Sequence, residues 1–407
     1  MGLNKEQRLL HTSIIKDKTP ITVCLSEAGT GKSYTLGQIL EDFQGSSVIS
    51  CLSHKACASV NEATGLKAIT IHKYLQMAMT NQGYDKVLTP KMRSGRPVPI
   101  EPMDLLVVDE VGMMDSTLFN RLMDAFHEGT IGQLLLMGDL LQLPPIGGQP
   151  DLHSLPATFI ELTEQMRQAE SSPQLKDYFK ELRSAIQTNS FFDPIQEDVP
   201  EFTYIDSHKE FAQAYKDCED DKLVIMYRNN KVTKYNSNIH TSQTFEEGDV
   251  VILDKPLGKA ANQTSAIIKE VIDYEPTHYK LLLENVHGEE HEVFHFTHKQ
   301  TLIDQLERFK VNKDYKGFHK AQDKCFDLKY GYSVTTTKSQ GSSVSHVFID
   351  LDDIISAYTQ KKTKFNFPIT LNAHLRFIYV SISRMRTHCT MFTGNKRDYP
   401  KFNPKDK

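Results

Sequence analysis

The sequence predicts an α/β protein in which two parallel-sheet units follow one another along the chain. Strand-like apolar runs alternate with helical stretches, the order that builds parallel sheets. The ends of these runs carry polar groups, as the carboxyl ends of strands do where open α/β sheets bind ligands. The alternation stops in an acidic, Pro-containing stretch, Asp193 to Glu201, and a new strand-helix pattern begins at Lys222. A chain of 407 residues is also more than one core readily holds.

Taken in order, residues 3 to 16 read as an amphipathic helix with Leu3, Leu9, Leu10, Ile14 and Ile15 on its apolar side. Gln7, on its own, reads as a solvated residue of that helix. Ile21 to Leu25 is the first strand, and Tyr34 to Phe43 carries a helical pattern. Between them, Ser26-Glu-Ala-Gly-Thr-Gly-Lys-Ser33 reads as a phosphate-binding loop. Small residues over Ala28, Gly29, Thr30 and Gly31 let backbone N–H groups close around a polyphosphate, Lys32 reaches the β/γ-phosphates, and Ser33 offers a hydroxyl to Mg²⁺. The following helix points its positive end at the anion. Ser26 stands where the pattern G-x-x-x-x-G-K-[ST] has its first glycine.

Ser47 to Leu52 is a buried strand, and Ser53-His54-Lys55 opens a helix. Thr70-Ile-His72 begins another. The stretch Lys86 to Val98 is basic, and Ser94-Gly95 suits a hairpin tip. Leu105-Leu-Val-Val-Asp109-Glu110 is an apolar run ending in two carboxylates. A helix covers Asp115 to His127, a strand Leu134 to Met137, and Gly138-Asp-Leu-Leu-Gln142-Leu-Pro-Pro145 follows. Glu164-Gln-Met-Arg167 comes after a further strand-like stretch, and Pro173 to Thr188 is a helix. Beyond the acidic boundary, Lys222 to Asn229 is a strand leading into the helix Lys231 to His240. Short alternating strands from Gly248 to Phe296 read as an inserted antiparallel module. A charged helix covers Lys299 to Lys310. Thr335-Thr-Thr337-Lys338-Ser-Gln-Gly341 precedes the strand Val344 to Asp350, and the last helix, Leu371 to Met385, is read as carrying Arg376 and Arg384.

Phosphoryl transfer to water needs a phosphate cradle, a divalent metal, a group that orients water, and cations for the developing charge. Asp109 is placed to hold Mg²⁺ with Ser33, and Glu110 to position the water. Gln142 is placed to contact the γ-phosphate or that water. Arg167 and Arg384, one from each half, would clamp a nucleotide lying between the halves. Ser53, His54, Lys55, Thr70, His72, Thr337 and Lys338 offer hydroxyl, imidazole and cationic groups suited to nucleic-acid phosphates, although each helix start is equally an ordinary N-cap.

The motifs stand in one order: Gln7, SEAGTGKS, LSHKACA, TIHKYL, VVDEVGMMD, GDLLQLPP, EQMR, MYRNN, TTTKSQGSSV and YVSISRMR. In that order the chain resembles superfamily 1 subgroup B, the RecD-like DNA helicases, and within it the compact Dda-like helicases of T-even phages. The resemblance spans about residues 3 to 393. It implies two RecA-like domains, at 1–190 and 200–395, with a β-hairpin wedge inserted at about 78–102. It also implies a small SH3-like β-barrel insertion at about 245–300, and leaves 396–407 as a loose basic tail. It implies an ATP- and Mg²⁺-dependent monomer that moves 5′ to 3′ on single-stranded DNA and opens forked duplex, in phage DNA replication or recombination. Partners would be a single-stranded-DNA-binding protein or replication proteins. Gln7 would recognise adenine, Lys32, Ser33 and Gly341 would serve the nucleotide, Gln142 would couple ATP to DNA, and Arg167 and Arg384 would act as arginine fingers. Ser383 stands where the last motif commonly has Thr, and Thr337 where Dda-like sequences have His.

Composition narrows the alternatives. The formal charge of −5 argues against a globally basic coat, although local field and not net charge governs binding to a groove. The cysteines, Cys24, Cys51, Cys57, Cys218, Cys325 and Cys389, form no C-x-x-C pair, so neither a zinc site nor a disulfide framework is expected, and a cytoplasmic setting fits. No run approaches a membrane span. The alternative to a helicase is a DNA-stimulated ATPase that translocates on DNA, or displaces proteins from it, without efficient unwinding.

Overall fold

The computed structural model describes residues 2–27, 29–82, 85–145, 148–164, 171–239, 244–254, 257–258, 265–285, 288–312, 314, 317, 323–359 and 369–394. The chain opens with helix α1 (Lys5–Ile15), whose start is closed reciprocally. Gln7 N donates to Asn4 Oδ1 at 2.8 Å, and Asn4 N donates to Gln7 Oε1 at 3.0 Å. Gln7, Leu10, Ser13 and Ile14 form the buried stripe. Leu9, expected on the apolar side, falls off that stripe and is exposed.

The first unit continues with β1 (Ile21–Ser26), α2 (Lys32–Asp42), β2 (Ser47–Cys51), α3 (His54–Thr64), β3 (Ala68–Thr70) and the short α4 (Ile71–Tyr74). Two antiparallel hairpins follow: β4 (Met77–Gln82) with β5 (Asp85–Pro90), and β6 (Met92–Arg93) with β7 (Arg96–Pro97). The single basic hairpin expected over 86–98 is therefore two. Ser94 and Gly95 turn the second, both in the left-handed region at φ 51° and 77°, as a tight two-residue hairpin turn requires. Then come β8 (Met103–Val108), α5 (Ser116–His127), β9 (Ile131–Gly138), β10 (Thr158–Leu162) and α6 (Pro173–Thr188).

The first sheet has the order β10-β1-β9-β8-β2-β3 and is parallel throughout. Helices cover both faces. Leu10, Ile14, Leu36 and Ile39 pack with Cys24, Val107 and Leu135 on one face, and Leu118 and Leu122 with Val23, Leu106 and Leu134 on the other. Burial on both faces is why runs such as Leu105–Val108 are continuously apolar instead of alternating.

The second unit holds β11 (Phe202–Ile205), α7 (His208–Asp217), β12 (Lys222–Met226) and α8 (Asn229–Ile239), then β13 (Val250–Ile252), β14 (Ser265–Glu275), β15 (His278–Asn285) and β16 (Glu290–Phe296). After α9 (Lys299–Val311) it closes with β17 (Lys329–Tyr330), β18 (Ser333–Thr335), α10 (Thr336–Ser339), β19 (Val344–Asp350), α11 (Leu351–Thr359), α12 (Leu371–Ile382) and β20 (Met385–Phe392). A second parallel sheet has the order β11-β20-β19-β12-β18. The helix expected to run to Met385 stops at Ile382, because Met385 onward is taken up as a strand between β11 and β19.

The antiparallel strands β16-β15-β14-β13-β17 form the third sheet. Cys325 bridges to Phe294 on β16, and four residues later Lys329 pairs with Ile252 on β13. One short segment thus reaches both edges and closes the sheet around Val251, Ile268, Leu281, Leu283 and Val293, with Phe326 and Leu328 in the same core. The module therefore extends to Tyr330, beyond the expected limit near 300.

Helix α6 is unusual in its packing. It precedes the acidic boundary, yet Leu175, Tyr178, Leu182 and Ile186 lie in the core formed with Ile225, Val347, Ile349, Leu375 and Tyr379 of the second unit. Leu141 and Leu143 join the same core, so the units meet along α6, α12 and the segment after β9.

Candidate active site

The loop after β1 has the backbone its sequence calls for. Gly29 and Gly31 sit at φ 87° and 78°, a region that side-chain-bearing residues rarely occupy. Gly31 is the N-cap of α2 and, among the described residues, no side chain caps that end, which leaves its first-turn amides suited to an anion. Thr30 Oγ1 donates to Glu27 O at 3.0 Å, and Thr35 Oγ1 to Gly31 O at 3.0 Å. Ser26 is the last residue of β1, in register with Leu162, and has no positive φ. Because the position remains in the strand ladder, it has no need of glycine. Its buried hydroxyl has no hydrogen-bond partner among the described residues. Ala28 and Arg167 lie outside the described residues.

Gln7 is buried, not solvated, and its Nε2 donates to Thr30 O at 3.2 Å. It braces the loop backbone from α1. Its neighbour Glu6 accepts from Thr163 N and Thr163 Oγ1, both at 2.7 Å. Burial opposes the Glu6 charge, but these donors outweigh it and hold the carboxyl below the usual range.

The acidic pair follows β8. Asp109 Oδ1 accepts from Glu110 N at 2.9 Å, and Glu110 adopts φ 57°. A left-handed backbone at a non-glycine costs on the order of 1 kcal/mol or more and persists where surroundings enforce it. The carboxylate of Asp109 and the ammonium of Lys32 both act electrostatically on Cys24 of β1, with opposite signs, beneath a burial effect that pushes the thiol up to about 12. Loop and acidic pair therefore share one edge of the sheet. Ser33, Lys32, Asp109 and Glu110 supply hydroxyl, ammonium and carboxylates beside an uncapped helix start, a donor set that fits a metal-bound polyphosphate.

The segment after β9 connects this edge to the second unit. Arg183 of α6 reaches Glu27 at 3.1 Å and Asp139 at 3.2 Å, and Arg183 Nη1 donates to the Tyr379 hydroxyl at 2.7 Å. The Tyr379 hydroxyl donates in turn to Asp139 Oδ2 at 2.5 Å. Burial opposes the Arg183 charge, but Asp139, Tyr379 and Glu27 outweigh it and raise the guanidinium above its ordinary value. Burial, reinforced by Asp139, pushes the Tyr379 hydroxyl well up, so it remains a donor. Arg376 Nη1 donates to the carbonyls of Leu140 and Gln142, both at 2.6 Å. Gln142 is itself buried. A cleft of about 1080 Å³ opens beside the loop, lined by Glu27, Asp139, Thr163, Glu164 and Arg183 among others.

Arg384 is not on a helix but in the turn between α12 and β20. Its Nε donates to Val380 O at 3.1 Å, Nη1 to Ser342 O at 3.3 Å, and Nη2 to Ser383 Oγ at 2.9 Å. Gly341, at φ 75°, directly precedes Ser342, so these two expected positions come together.

The candidate phosphate-contacting residues separate into two groups. Ser53 and Thr70 act as N-caps, accepting from Ala56 N at 3.1 Å and Lys73 N at 3.3 Å. His72 is half-buried, and burial lowers its pKa, with Asp115 opposing and His54 assisting. The imidazoles of His54 and His72 are therefore close in space. The Lys55 side chain lies outside what the structure describes. Neighbouring strands lie about 4.8 Å apart, so the ends of β2 and β3 stand roughly 15–20 Å along the sheet edge from the loop after β1. Thr337 and Lys338 are exposed on α10, at the carboxyl end of β18 in the second sheet.

Residues that sequence reasoning did not select are Glu6, Asp139, Arg183 and Tyr379. Asp139 stands inside the GDLLQLPP segment, and Asn372, Arg376 and Tyr379 share one face of α12 at helical spacing. Nothing local to α6 marks Arg183.

Residues 2–192 match the family model described as an AAA domain. The chain is 33% identical over 177 residues to the ATP-dependent RecD2 DNA helicase of Deinococcus radiodurans, a match covering 42% of this chain and 23% of that protein. The chain thus spans about a quarter of the length of this curated relative. It also shares its fold with two coordinating Pif1 helicases solved at forked double-stranded DNA (TM-score 0.58, 16% identity, 97% of this chain and 92% of that one). The same holds for Pif1 helicase from Bacteroides in complex with ADP-AlF3 and single-stranded DNA (TM-score 0.55, 15% identity, 97% and 93%). Over its first half the chain is thus similar in sequence to an AAA domain and to a RecD2 DNA helicase, and over almost its whole length it shares the fold of Pif1 helicases.

Proposed function

We propose that the protein is an ATP-dependent DNA helicase that moves 5′ to 3′ on single-stranded DNA and opens forked duplex. The observation that carries this reading is the part-buried bridge Glu27–Arg183–Asp139–Tyr379, which ties the loop after β1 to the helix leading to Arg384. A nucleotide bound at that loop would report its presence to the second unit through this bridge.

In this reading the amides of Gly29 to Ser33 and the Lys32 ammonium hold the β/γ-phosphates, while Gln7 keeps the loop in shape from behind. Adenine recognition by Gln7 would use whatever acceptor capacity Oε1 retains beside Asn4 N. Ser33 and Asp109 would hold Mg²⁺, which would offset negative charge on the polyphosphate. Glu110 orients the attacking water and takes its proton. Arg167 and Arg384 stabilise the charge that develops on the transferred group. Arg384 is engaged by its own turn in this arrangement, so it acts only after swinging out as the units close. Ser53, His54, Lys55, Thr70 and His72 on one sheet edge, and Thr337 and Lys338 on the other, hold successive DNA phosphates. The β4–β7 hairpins form the wedge, and the closed β module contacts DNA or a replication partner.

The deciding experiment is strand separation on partial duplexes carrying only a 5′ or only a 3′ single-stranded tail, with Lys32→Ala as control. Product from the 5′-tailed substrate is expected with wild-type protein. Lys32→Ala is expected to yield none while still binding the tail. Product from the 3′ tail alone reverses the polarity, and ATP turnover without product from either tail marks a translocase that does not unwind.

A further inference from the structure

On the far side of the second sheet from α12 lies a cluster that the nucleotide site does not use. Cys218 caps the end of α7, Asp220 lies in the short connection to β12, and His346 stands near the start of β19. Their ligand atoms all lie within 4.8 Å of one another. Alternation along β19 and β20 sets the face. Val347, Ile349, Cys389 and Met391 pack into the core with α6 and α12, whereas Phe348 and Phe392 pack with Phe211 and Tyr215 of α7. His346 stacks on Phe348, on the α7 face.

We propose that Cys218, Asp220 and His346 form a binding site for a thiolate-seeking divalent transition metal of the Zn²⁺ class. Three observations carry it. First, Cys218 Sγ and His346 Nδ1 are 3.6 Å apart. Zinc–sulfur and zinc–nitrogen bonds of about 2.3 and 2.0–2.1 Å at a tetrahedral angle place their two ligand atoms about 3.6 Å apart. Second, His346 Nε2 lies 2.8 Å from Thr390 Oγ1. With Nε2 as donor, the Nδ1 lone pair points at Cys218, the outer-shell arrangement that orients a metal-binding imidazole. Third, the neighbouring charges have other partners. Asp221 pairs with Arg386 at 2.7 Å, while Lys222 Nζ donates to the carbonyls of Tyr215 and Cys218 and lies over the Tyr215 ring. Asp220 is exposed and able to rotate onto a metal. Soft thiolate with imidazole and one carboxylate selects zinc-class ions over Mg²⁺ or Ca²⁺, which prefer all-oxygen shells.

Three protein ligands leave a fourth position for water or for His388, which is in register with His346 on β20, with ring centroids 5.7 Å apart. Binding displaces the Cys218 thiol proton to solvent and joins the end of α7 to the starts of β12 and β19, so the metal acts as a staple of the second unit.

The probe is Co²⁺, titrated into the full chain. A thiolate-to-cobalt charge-transfer band is expected to saturate at one equivalent and to be bleached by Zn²⁺. Cys218→Ser and His346→Gln should abolish it, and Asp220→Asn should weaken binding about tenfold or more. Zn²⁺ should also slow alkylation of Cys218 by iodoacetamide in wild-type protein, a readout that needs no variant to fold. Absence of the band and of protection overturns the proposal and leaves a hydrogen-bonded Cys–His pair. A band that persists in Cys218→Ser also overturns it, because the metal then sits on another cysteine.

Discussion

At the residue scale, a few buried polar side chains decide most of what is distinctive. Asp350 ends β19, and burial pushes its carboxyl up to about 6 despite Lys231 at 3.7 Å. An unfolded aspartate titrates near 3.9. Between those values the native state binds more protons than the unfolded chain, so this group's contribution to stability falls as pH rises through about 4 to 6. Asparagine keeps the oxygen that accepts from Asp353 N at 2.9 Å and removes the buried charge. Asp350→Asn is therefore expected to be about 1–3 kcal/mol more stable than wild type at pH 7.5, the difference vanishing near pH 4, as measured by urea unfolding at both pH values. His374, pushed down to about 4 by burial, works in the opposite sense, so the comparison is made as a difference from wild type.

Tyr379 is the other decisive residue. Its hydroxyl donates to a buried carboxylate, a bond worth roughly 1.5–3 kcal/mol when one partner is charged, and it also accepts from Arg183. Tyr379→Phe is expected to destabilise the protein by that amount. It should leave basal ATP turnover measurable while reducing its stimulation by single-stranded DNA several-fold. Unchanged stimulation in a folded variant would mean that the bridge is structural only. Combining it with Asp139→Asn should cost less than the sum of the two, since both act on one network.

At the element scale, α6 and the hairpins depart most from what their sequences indicate. Helix α6 is amphipathic and its span, Pro173–Thr188, is the one its pattern indicates. A pattern gives a face but not the partner for that face, and the partner proves to be the second sheet. The hairpins take backbone bonds from the adjoining chain, with Val98 N donating to Lys91 O at 2.8 Å and Lys91 N to Gln76 O at 2.7 Å. The second hairpin is thereby fixed at the base of the first. Replacing residues 92 to 97 by a Gly-Gly link should leave DNA-stimulated ATP turnover within about twofold and reduce strand separation at least tenfold, if the hairpins act as the wedge. Gel-based unwinding beside a coupled ATPase assay checks both. No residue of the small hairpin belongs to either hydrophobic core among the described residues, so a large loss of thermal stability is not expected.

At the scale of the whole molecule, two sheets with separate cores meet along a seam of Arg376, Tyr379, Arg183, Leu141 and Leu143. The ATP-site candidates lie beside this seam, and the DNA candidates lie further along the same sheet edges. The net charge of −5 does not prevent binding to a polyanion if the contacts are local. The observed affinity for single-stranded DNA is expected to fall log-linearly with salt, with a slope of about −0.7 per phosphate contacted. Counterions are released where a cation neutralises a phosphate, so Lys55 and Lys338 together give a slope of about −1.4, and a slope near zero would exclude these lysine–phosphate contacts as a source of affinity. Lys338→Ala should reduce the slope by less than one unit and weaken binding alike for all sequences.

By itself the sequence determined the class of fold, the positions of most helices, and the loop from Gly29 to Ser33, because period, glycine placement and a strand-loop-helix context are local properties. It also determined the acidic pair Asp109–Glu110 as the end of an apolar strand. What it left undecided depends on which distant segments meet. Only the tertiary structure shows that Gln7 braces the loop, that Ser26 stays in a strand ladder, and that Arg384 packs in a turn instead of on a helix. The bridge from Glu27 through Arg183 and Asp139 to Tyr379 joins residues as far as 352 positions apart in the chain. No periodicity extends over that distance, and the partners of a buried charge are chosen by packing once both sheets have formed.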